Sequence, residues 1–312
     1  MAELVEGMCE LFRGRLDAYG TDEGGCDKTG FEFRDDGAYK EYMRRMSLHL
    51  AGATPFGVYP LVAPLNRSEA EFHVRWGCTD LDYEPATDAV NIARIMHAVG
   101  LNAWVERSRS KGYHVWTFAS EWVPAEIMRN ALLAVHQFLD IPAKEVNPKQ
   151  TRLQADQIGN YVRVPYPGIL TGRNGYRQTI YKTDGSNIYG FEPFVADALA
   201  QRNTAGDYAA VAARYVPPKP KQRIIYTGLE GTLEDVTPQL NADAFNAWKH
   251  GPRPGHDRSS SLARLAHNCR ESGITPDQAM LVMVDADARW GKFSERADGE
   301  AQLQRMVENA YG

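Results

Sequence analysis

The segment YVPPKPKQR (215–223) is the feature that most restricts how this chain can fold. It holds three prolines within four positions. Because proline lacks an amide hydrogen and fixes φ, the segment cannot run through a helix or a central strand. Together with its three basic residues, this composition is typical of a stiff linker. The chain has 312 residues, enough for about two domains. We therefore predict a first domain over residues 1–214, a linker over 215–230 and a second domain over 231–312.

The hydrophobic pattern differs on the two sides of this linker. Before it, short segments such as EFHVRWGCT predict strands, and LNAWVERS and GYHVWTFA, joined by RSK, predict a hairpin. Residues 1–50 predict two helices around a Gly-rich loop. After the linker the apolar spacing is helical throughout, over 237–249, 259–272, 275–289 and 299–311. The predicted fold class is an α+β domain followed by a small all-α helical bundle.

Charge and cysteine usage limit the classes of function. The net charge of −5 excludes a strongly basic protein that coats nucleic acid, so any nucleic acid must be bound by local basic patches. The four cysteines are scattered, which argues against a disulfide framework, with a zinc site at Cys9, Cys26 and a histidine as an alternative. The chain has no apolar run of about eighteen residues and no signal peptide pattern, so we expect a cytoplasmic protein without a membrane partner.

Two aspartates, Asp80 and Asp82, follow the apolar run in WGCTDLDYEP (76–85). Residues i and i+2 of a strand face the same side, so the two carboxylates repel each other when both are charged and desolvated. A divalent cation between them removes this repulsion. Hard oxygen ligands suit Mg²⁺ or Mn²⁺, above all where phosphates complete the coordination shell. The alternative interpretation is a solvated strand end with two surface acids.

The stretch ERSRSKGYHVW (106–116) places hydroxyls, positive charges and a flexible backbone in one turn, with a histidine on the next strand. Such a turn can hold a triphosphate through backbone amides, hydroxyls and basic side chains. The alternative is an exposed basic hairpin tip beside a histidine that is satisfied in the core. The candidate phosphate ligands are Ser108, Arg109, Ser110, Lys111, Gly112 and His114.

A third stretch, EVNPKQTRLQADQIGNYVRVPYPG (145–168), contains two short predicted strands flanked by Lys149, Arg152 and Arg163. The pair Gly159-Asn160 allows a ligand to approach the backbone closely. Taken alone, the pattern of this stretch favours a polar loop before a core strand over a ligand site. Taken together, the three stretches supply the acids, the phosphate-binding turn and the basic strand pair that metal-assisted phosphoryl transfer needs.

In this order and spacing, WGCTDLDYEP, SRSKGYHVW and NPKQ…IGNYVRVPYPG resemble the three motifs of the archaeo-eukaryotic primase superfamily. The resemblance covers roughly residues 50–200 and is nearest to the primase-polymerases of bacteriophages and plasmids. The stretch HDRSSSLARLAHNCRESGITPDQAMLVMVDADARWGKF (256–293) is similar to the helical module that follows the catalytic domain in such phage replication proteins. The resemblance implies a primase-type catalytic core with an RRM-like mixed or antiparallel sheet.

The resemblance also implies roles for single residues. Asp80 and Asp82 would bind two Mg²⁺ or Mn²⁺ ions, and His114 would act with them by contacting the phosphates of the incoming nucleotide. Tyr83 would lie near the sugar of that nucleotide. The other implied nucleotide ligands are Ser108, Arg109, Ser110, Lys111, Gly112, Lys149, Asn160 and Arg163.

One departure from the family pattern concerns the third carboxylate that the family usually supplies. Thr151 stands where an aspartate is common, and Glu145 and Asp156 are nearby acids that do not occupy the expected position. Either the third acid comes from elsewhere in the chain or two carboxylates suffice.

The implied function is that of a DNA primase and DNA polymerase, which makes and extends primers on single-stranded DNA from nucleoside triphosphates in phage or plasmid replication. Two other functions remain open: a metal-dependent nuclease, and a non-catalytic nucleic-acid-binding module, which the missing third carboxylate favours. The chain has no GxxxxGK[ST] phosphate loop, so a helicase would be fused downstream or be a separate partner. HGPRPGHDRSSS (250–261) would either clamp the template or form an ordinary polar surface.

Overall fold

The computed structural model describes residues 1–21, 24–30, 36–63, 71–83, 86–109, 111–154, 157–173, 178–181, 189–218, 231–252, 257–294, 296 and 298–312. The chain divides into two compact units, Met1–Pro217 and Pro218–Gly312. Most of the predicted linker, residues 219–230, lies outside the described residues. Within the described ranges, no helix combines the length and the apolar character that crossing a membrane requires.

Two sheets form the centre of the first unit. The larger sheet has the strand order β7-β4-β6-β5-β9 and the smaller sheet the order β2-β1-β3-β8, and their strands pair in antiparallel fashion. The strands are β1 (Ala18–Gly20), β2 (Cys26–Lys28), β3 (Gly57–Val58), β4 (His73–Leu81), β5 (Trp104–Arg107), β6 (Tyr113–Pro124), β7 (Glu145–Asn147), β8 (Val162–Arg163) and β9 (Thr179–Tyr181). The helices of this unit are α1 (Ala2–Leu11), α2 (Asp36–Leu50), α3 (Thr87–Ala98), α4 (Ala125–Leu139), α5 (Phe191–Ala200) and α6 (Ala205–Ala212).

The larger sheet is buried on both faces. On one face, Trp76, Cys78 and Trp116 pack in a core that includes residues of the smaller sheet and of α1, α2 and α5. On the other face, Leu81 and Val115 pack in a second core with α3, α4 and α6. Because successive strand residues point to opposite faces, a strand between two cores needs apolar residues at nearly every position. This explains the nearly continuous burial of β4.

The described part of the second unit contains helices and no strands. Its core joins Leu262 and Leu265 of one helix to Met280 and Met283 of the next and to Leu303 of the last. This spacing of three residues within each helix places the apolar side chains on one face. The helices are α7 (Leu233–Val236), α8 (Ala242–His250), α9 (Arg258–Glu271), α10 (Pro276–Trp290) and α11 (Gly299–Tyr311).

The predicted fold class is confirmed: an α+β unit with antiparallel sheets is followed by a helical unit. The prediction for residues 1–50 is incomplete, because the Gly-rich loop contains β1 and β2. Tyr19 of β1 pairs with Asp27 of β2 and also with Val58 of β3. The second partner lies far along the chain, so the local pattern of residues 1–50 does not reveal it.

The cysteines are free thiols, with Cys9 buried in the core and Cys26 exposed on β2. No set of three metal-ligating side chains comes together in the described part of the chain. Among the described residues, Cys9 and Cys26 belong to no such set.

Candidate active site

Four ionisable residues form a row across the larger sheet. Asp80 of β4 lies opposite Glu145 of β7 on one side and opposite His114 of β6 on the other, and His114 lies opposite Glu106 of β5. Because opposite residues of an antiparallel pair point to the same face, the four side chains emerge together. Trp116, two residues after His114, points to this face as well. The row is therefore the polar end of the core that lies between the two sheets.

His114 lies between two carboxylates of this row. Its Nδ1 is 2.8 Å from Glu106 Oε2, and its Nε2 is 3.5 Å from Asp80 Oδ1. Because an ionised carboxylate only accepts hydrogen bonds, the Nδ1–H group donates to Glu106. The same Oε2 accepts a hydrogen bond of 2.6 Å from the indole N–H of Trp116. Since Glu106 is completely buried, it fixes the orientation of the His114 ring from inside the core.

The surroundings of His114 favour its protonated form. Burial alone would lower the pKa of His114, but the charges of Glu106 and Asp80 and their hydrogen bonds outweigh burial and raise this pKa to about 10. Nearby opposite charges favour the charged form of a group in this way. The row therefore places a cation next to Asp80.

A cleft of about 330 Å³ opens at this end of the sheet. Asp82 follows the last residue of β4 and shares the cleft with Asp80, as the i, i+2 spacing predicts. The smaller sheet contributes the residues of β8. The described lining residues are Asp80, Asp82, Ser108, Arg109, His114, Tyr161, Val162, Arg163 and Gln178.

The tip of the β5–β6 hairpin packs against the end of β4. The amide of Ser108 donates to the Gly112 carbonyl at 3.1 Å, and the Ser108 hydroxyl donates to the Lys111 carbonyl at 2.6 Å. Gly112 has a φ of +86°, and a Cβ at this position would overlap the carbonyl group of Leu81. The tip thus approaches the strand end between the two aspartates at a distance that only glycine permits.

The third stretch contributes to both sheets. Its first strand, β7, pairs with β4, and Lys149 Nζ lies 2.8 Å from each carboxylate oxygen of Glu145. Its second strand, β8, belongs to the smaller sheet and brings Arg163 to the cleft. Between the strands, the Gln150 amide donates to Asn160 Oδ1 at 2.8 Å. Two strands that are close in sequence therefore border the site from different sheets.

Some of the predicted site residues do not line the cleft. Tyr83 is 38 % exposed, and its hydroxyl donates to Asp88 at 2.6 Å. Ser110 lies outside the described residues. The predicted residues that do not line the cleft are Tyr83, Lys111, Gly112, Lys149 and Asn160.

Sequence reasoning missed Glu106, Tyr161 and Gln178. The sequence could have identified Glu106 as a candidate, because a charge within the apolar strand segment WVE is costly to bury unless it is paired. No local sequence pattern identifies Tyr161 and Gln178, because only the tertiary fold brings the smaller sheet and the segment before β9 to the cleft.

The donors of the cleft fit a divalent ion bound together with phosphates. Glu145 lies opposite Asp80 but is held by Lys149, and Asp156 lies outside the described residues. Among the described lining residues of the cleft, the carboxylates are therefore Asp80 and Asp82. Mg²⁺ is commonly bound through one or two carboxylates plus substrate phosphates and several waters. This set matches that preference without a third protein ligand.

The comparison with protein-family models agrees with the motifs. Residues 22–175, just under half of the chain, match the family model for the archaeo-eukaryotic primase domain of TOTE conflict systems. The comparison with curated proteins gave no match. A solved structure titled "Crystal structure of primase RepB'" is 13% identical, with 100% of this chain and 94% of that chain covered, at a TM-score of 0.29, too low for a residue-by-residue comparison. Residues 22–175 therefore contain a domain of the archaeo-eukaryotic primase superfamily.

Proposed function

We propose that the first unit is a nucleotidyltransferase that acts as a DNA primase and DNA polymerase, making and extending primers on single-stranded DNA. The observation that carries the proposal is one cleft in which Asp80 and Asp82 face the cations Arg109, His114 and Arg163. A nucleoside triphosphate and its divalent ions need acids and cations together, because the polyphosphate is strongly negative. A nuclease needs the acids but no triphosphate site.

Different residues of the cleft bind the metal ions and contact the triphosphate. Asp80 and Asp82 would hold two Mg²⁺ or Mn²⁺ ions, and these ions would supply Lewis-acid stabilisation of the negative charge on the reacting oxygens. Arg109 contacts the triphosphate from the hairpin, and Arg163 contacts it from the smaller sheet. His114, oriented by its buried carboxylate partner, balances the charge that develops on the phosphate oxygens.

The proposed setting is phage or plasmid DNA replication. The template is single-stranded DNA, and a helicase acts downstream in the same protein or as a separate partner. A cleft of about 550 Å³ in the second unit includes His250, Ser261 and Arg264, together with Asp243 and Trp290. The first three are suited to phosphate contacts, and we assign to this unit a role in holding template or the initiating nucleotide.

The double variant Asp80→Ala, Asp82→Ala tests the proposal. We expect it to abolish primer extension on a labelled template in the presence of Mg²⁺ or Mn²⁺, because the ions lose both carboxylates. The matched control is Glu126→Ala, Glu192→Ala, which removes two exposed acids in the first turns of α4 and α5. That control should extend primers at the wild-type rate.

Three outcomes separate the possible functions. Primer extension by the double aspartate variant would show that the assignment of the acids is wrong. Cleavage of a labelled strand by the wild type, without nucleotide incorporation, would favour the nuclease. Binding of DNA with neither reaction would favour the non-catalytic module.

A further inference from the structure

The ring of Tyr161 is fixed against the backbone of the smaller sheet. Gly20 and Gly57 lie opposite each other in the strand register, and a Cβ at either position would overlap the Tyr161 ring. The Tyr161 hydroxyl donates to the Thr21 carbonyl at 3.0 Å. The ring of Tyr59 packs against it at a centroid distance of 5.5 Å and an angle of 66°. These contacts hold a rigid aromatic surface at the wall of the cleft.

This surface differs from the rest of the cleft. The charged side chains of the cleft match the ionic parts of a metal–triphosphate complex. A nucleoside is different, because its base offers a flat aromatic face. Val162, an apolar neighbour in the cleft wall, is only 5 % exposed. Among the described lining residues, Tyr161 therefore offers the one broad apolar surface.

Tyr161 and Arg163 emerge on the same face of the smaller sheet. Arg163 lies opposite Gly57, so its side chain points to the same face as a Cβ at Gly57 would. A Cβ at Gly57 would overlap the Tyr161 ring, so the ring lies on this face. A nucleotide whose phosphates contact Arg163 therefore has an aromatic ring two residues earlier in the chain, at the residue directly before β8.

We propose that Tyr161 binds the nucleoside part of the incoming nucleotide through the face of its ring. The proposal rests on the proposed function, which supplies a nucleotide to this cleft. The Tyr161 hydroxyl is occupied by the Thr21 carbonyl, so the ring and not the hydroxyl makes the contact. The family resemblance gives such a role to Tyr83, but Tyr83 does not line the cleft and bonds to Asp88.

The test compares two ligands that differ only in the nucleoside. Affinities of the full chain for dATP and for tripolyphosphate, each with Mn²⁺, are measured by isothermal titration calorimetry. We expect Tyr161→Ala to weaken dATP binding about tenfold, because a stacking contact with a base is lost. Its affinity for tripolyphosphate should be unchanged. Tyr161→Phe keeps the ring and should bind both ligands as the wild type does.

Controls separate contact from structural damage. Phe138→Ala removes an aromatic ring of α4 that is 56 % exposed and outside the cleft, and should change neither affinity. Equal weakening of both ligands by Tyr161→Ala would show a structural role and overturn the proposal, as would unchanged dATP binding. If Tyr161→Ala does not fold, Gly20→Ala displaces the ring instead and should produce the same selective loss.

The outcome is independent of catalysis. A wild-type chain that binds dATP but incorporates no nucleotide would overturn the proposed function, while the two affinities would still decide the role of Tyr161. A variant Tyr83→Ala that loses dATP affinity selectively, with Tyr161→Ala unaffected, would return the nucleoside contact to Tyr83.

Discussion

At the scale of single residues, Glu106 is the buried charge that holds His114. Glu106 Oε2 accepts hydrogen bonds from both His114 and Trp116, and Glu106 Oε1 has no hydrogen-bond partner within the described structure. Glu106→Leu leaves two buried donors without an acceptor and removes a counter-charge from His114. We expect it to lower the free energy of unfolding by about 3 kcal/mol. Glu106→Gln keeps an acceptor oxygen at this position and should lose less.

Urea denaturation followed by tryptophan fluorescence measures both variants. The folded-state pKa of His114 is raised from 6.5 to about 10, so the stability that its protonation contributes is complete below pH 6.5. This contribution falls as the pH rises towards 10 and is then lost. The stability difference between the wild type and the leucine variant should shrink over the same range. A leucine variant as stable as the wild type at neutral pH would contradict this role of Glu106.

The predictability of single residues follows from how far along the chain their neighbours lie. The spacing of Asp80 and Asp82 predicts that both carboxylates face the same side, because strand geometry alone sets this. Tyr161 is not predictable in this way, because Gly20 and Gly57 hold it from more than a hundred positions away.

At the scale of elements, the β5–β6 hairpin depends on a close approach to β4. A Cβ at Gly112 would overlap the Leu81 carbonyl, so Gly112→Ala must push the hairpin tip away from the aspartates. A displacement of about 1 Å at such a site can cost on the order of 100-fold in rate. We expect primer extension to fall by at least about tenfold, measured as single-nucleotide incorporation.

Gly100→Ala is the matched control for this substitution. Gly100 also has a positive φ, +92°, but a Cβ there has open space around it. Gly100→Ala therefore introduces the backbone strain of a positive φ without a steric overlap. If both variants lost activity equally, strain rather than hairpin position would explain the effect.

The hairpin itself is predictable, because its strands are contiguous and joined by a short turn. The sheet membership of β7 and β8 is not. Both have the local pattern of strands, yet β7 pairs with β4 and β8 with β3. Pairing partners that are distant in sequence decide this assignment, and a hydrophobic period carries no information about them.

At the scale of the whole molecule, the two units have separate cores. The core of the second unit draws its residues from 233–311, and those of the first unit lie before 217. A chain that ends at Pro217 should therefore fold, unfold cooperatively on heating and extend an annealed primer. We expect it to fail in starting new chains, because initiation must hold two nucleotides without a primer.

Gel analysis of products made with and without an annealed primer measures both reactions. Initiation by the shortened chain at the wild-type rate would remove the second unit from the proposed mechanism.

The proline-rich segment predicts a division of the chain near residue 215 because proline excludes regular structure. The contents of each unit require the long-range contacts that only the structure supplies.

The double burial of the larger sheet has a consequence for how a template meets the protein. RNA-recognition sheets stack bases on exposed aromatic side chains of an open face. Here the corresponding aromatics, Trp76, Trp116 and Phe118, are completely buried. The larger sheet therefore offers a DNA strand no bare face, and the proposed function requires template to be bound at the rim, where the C-terminal end of β4 and the hairpin tip converge.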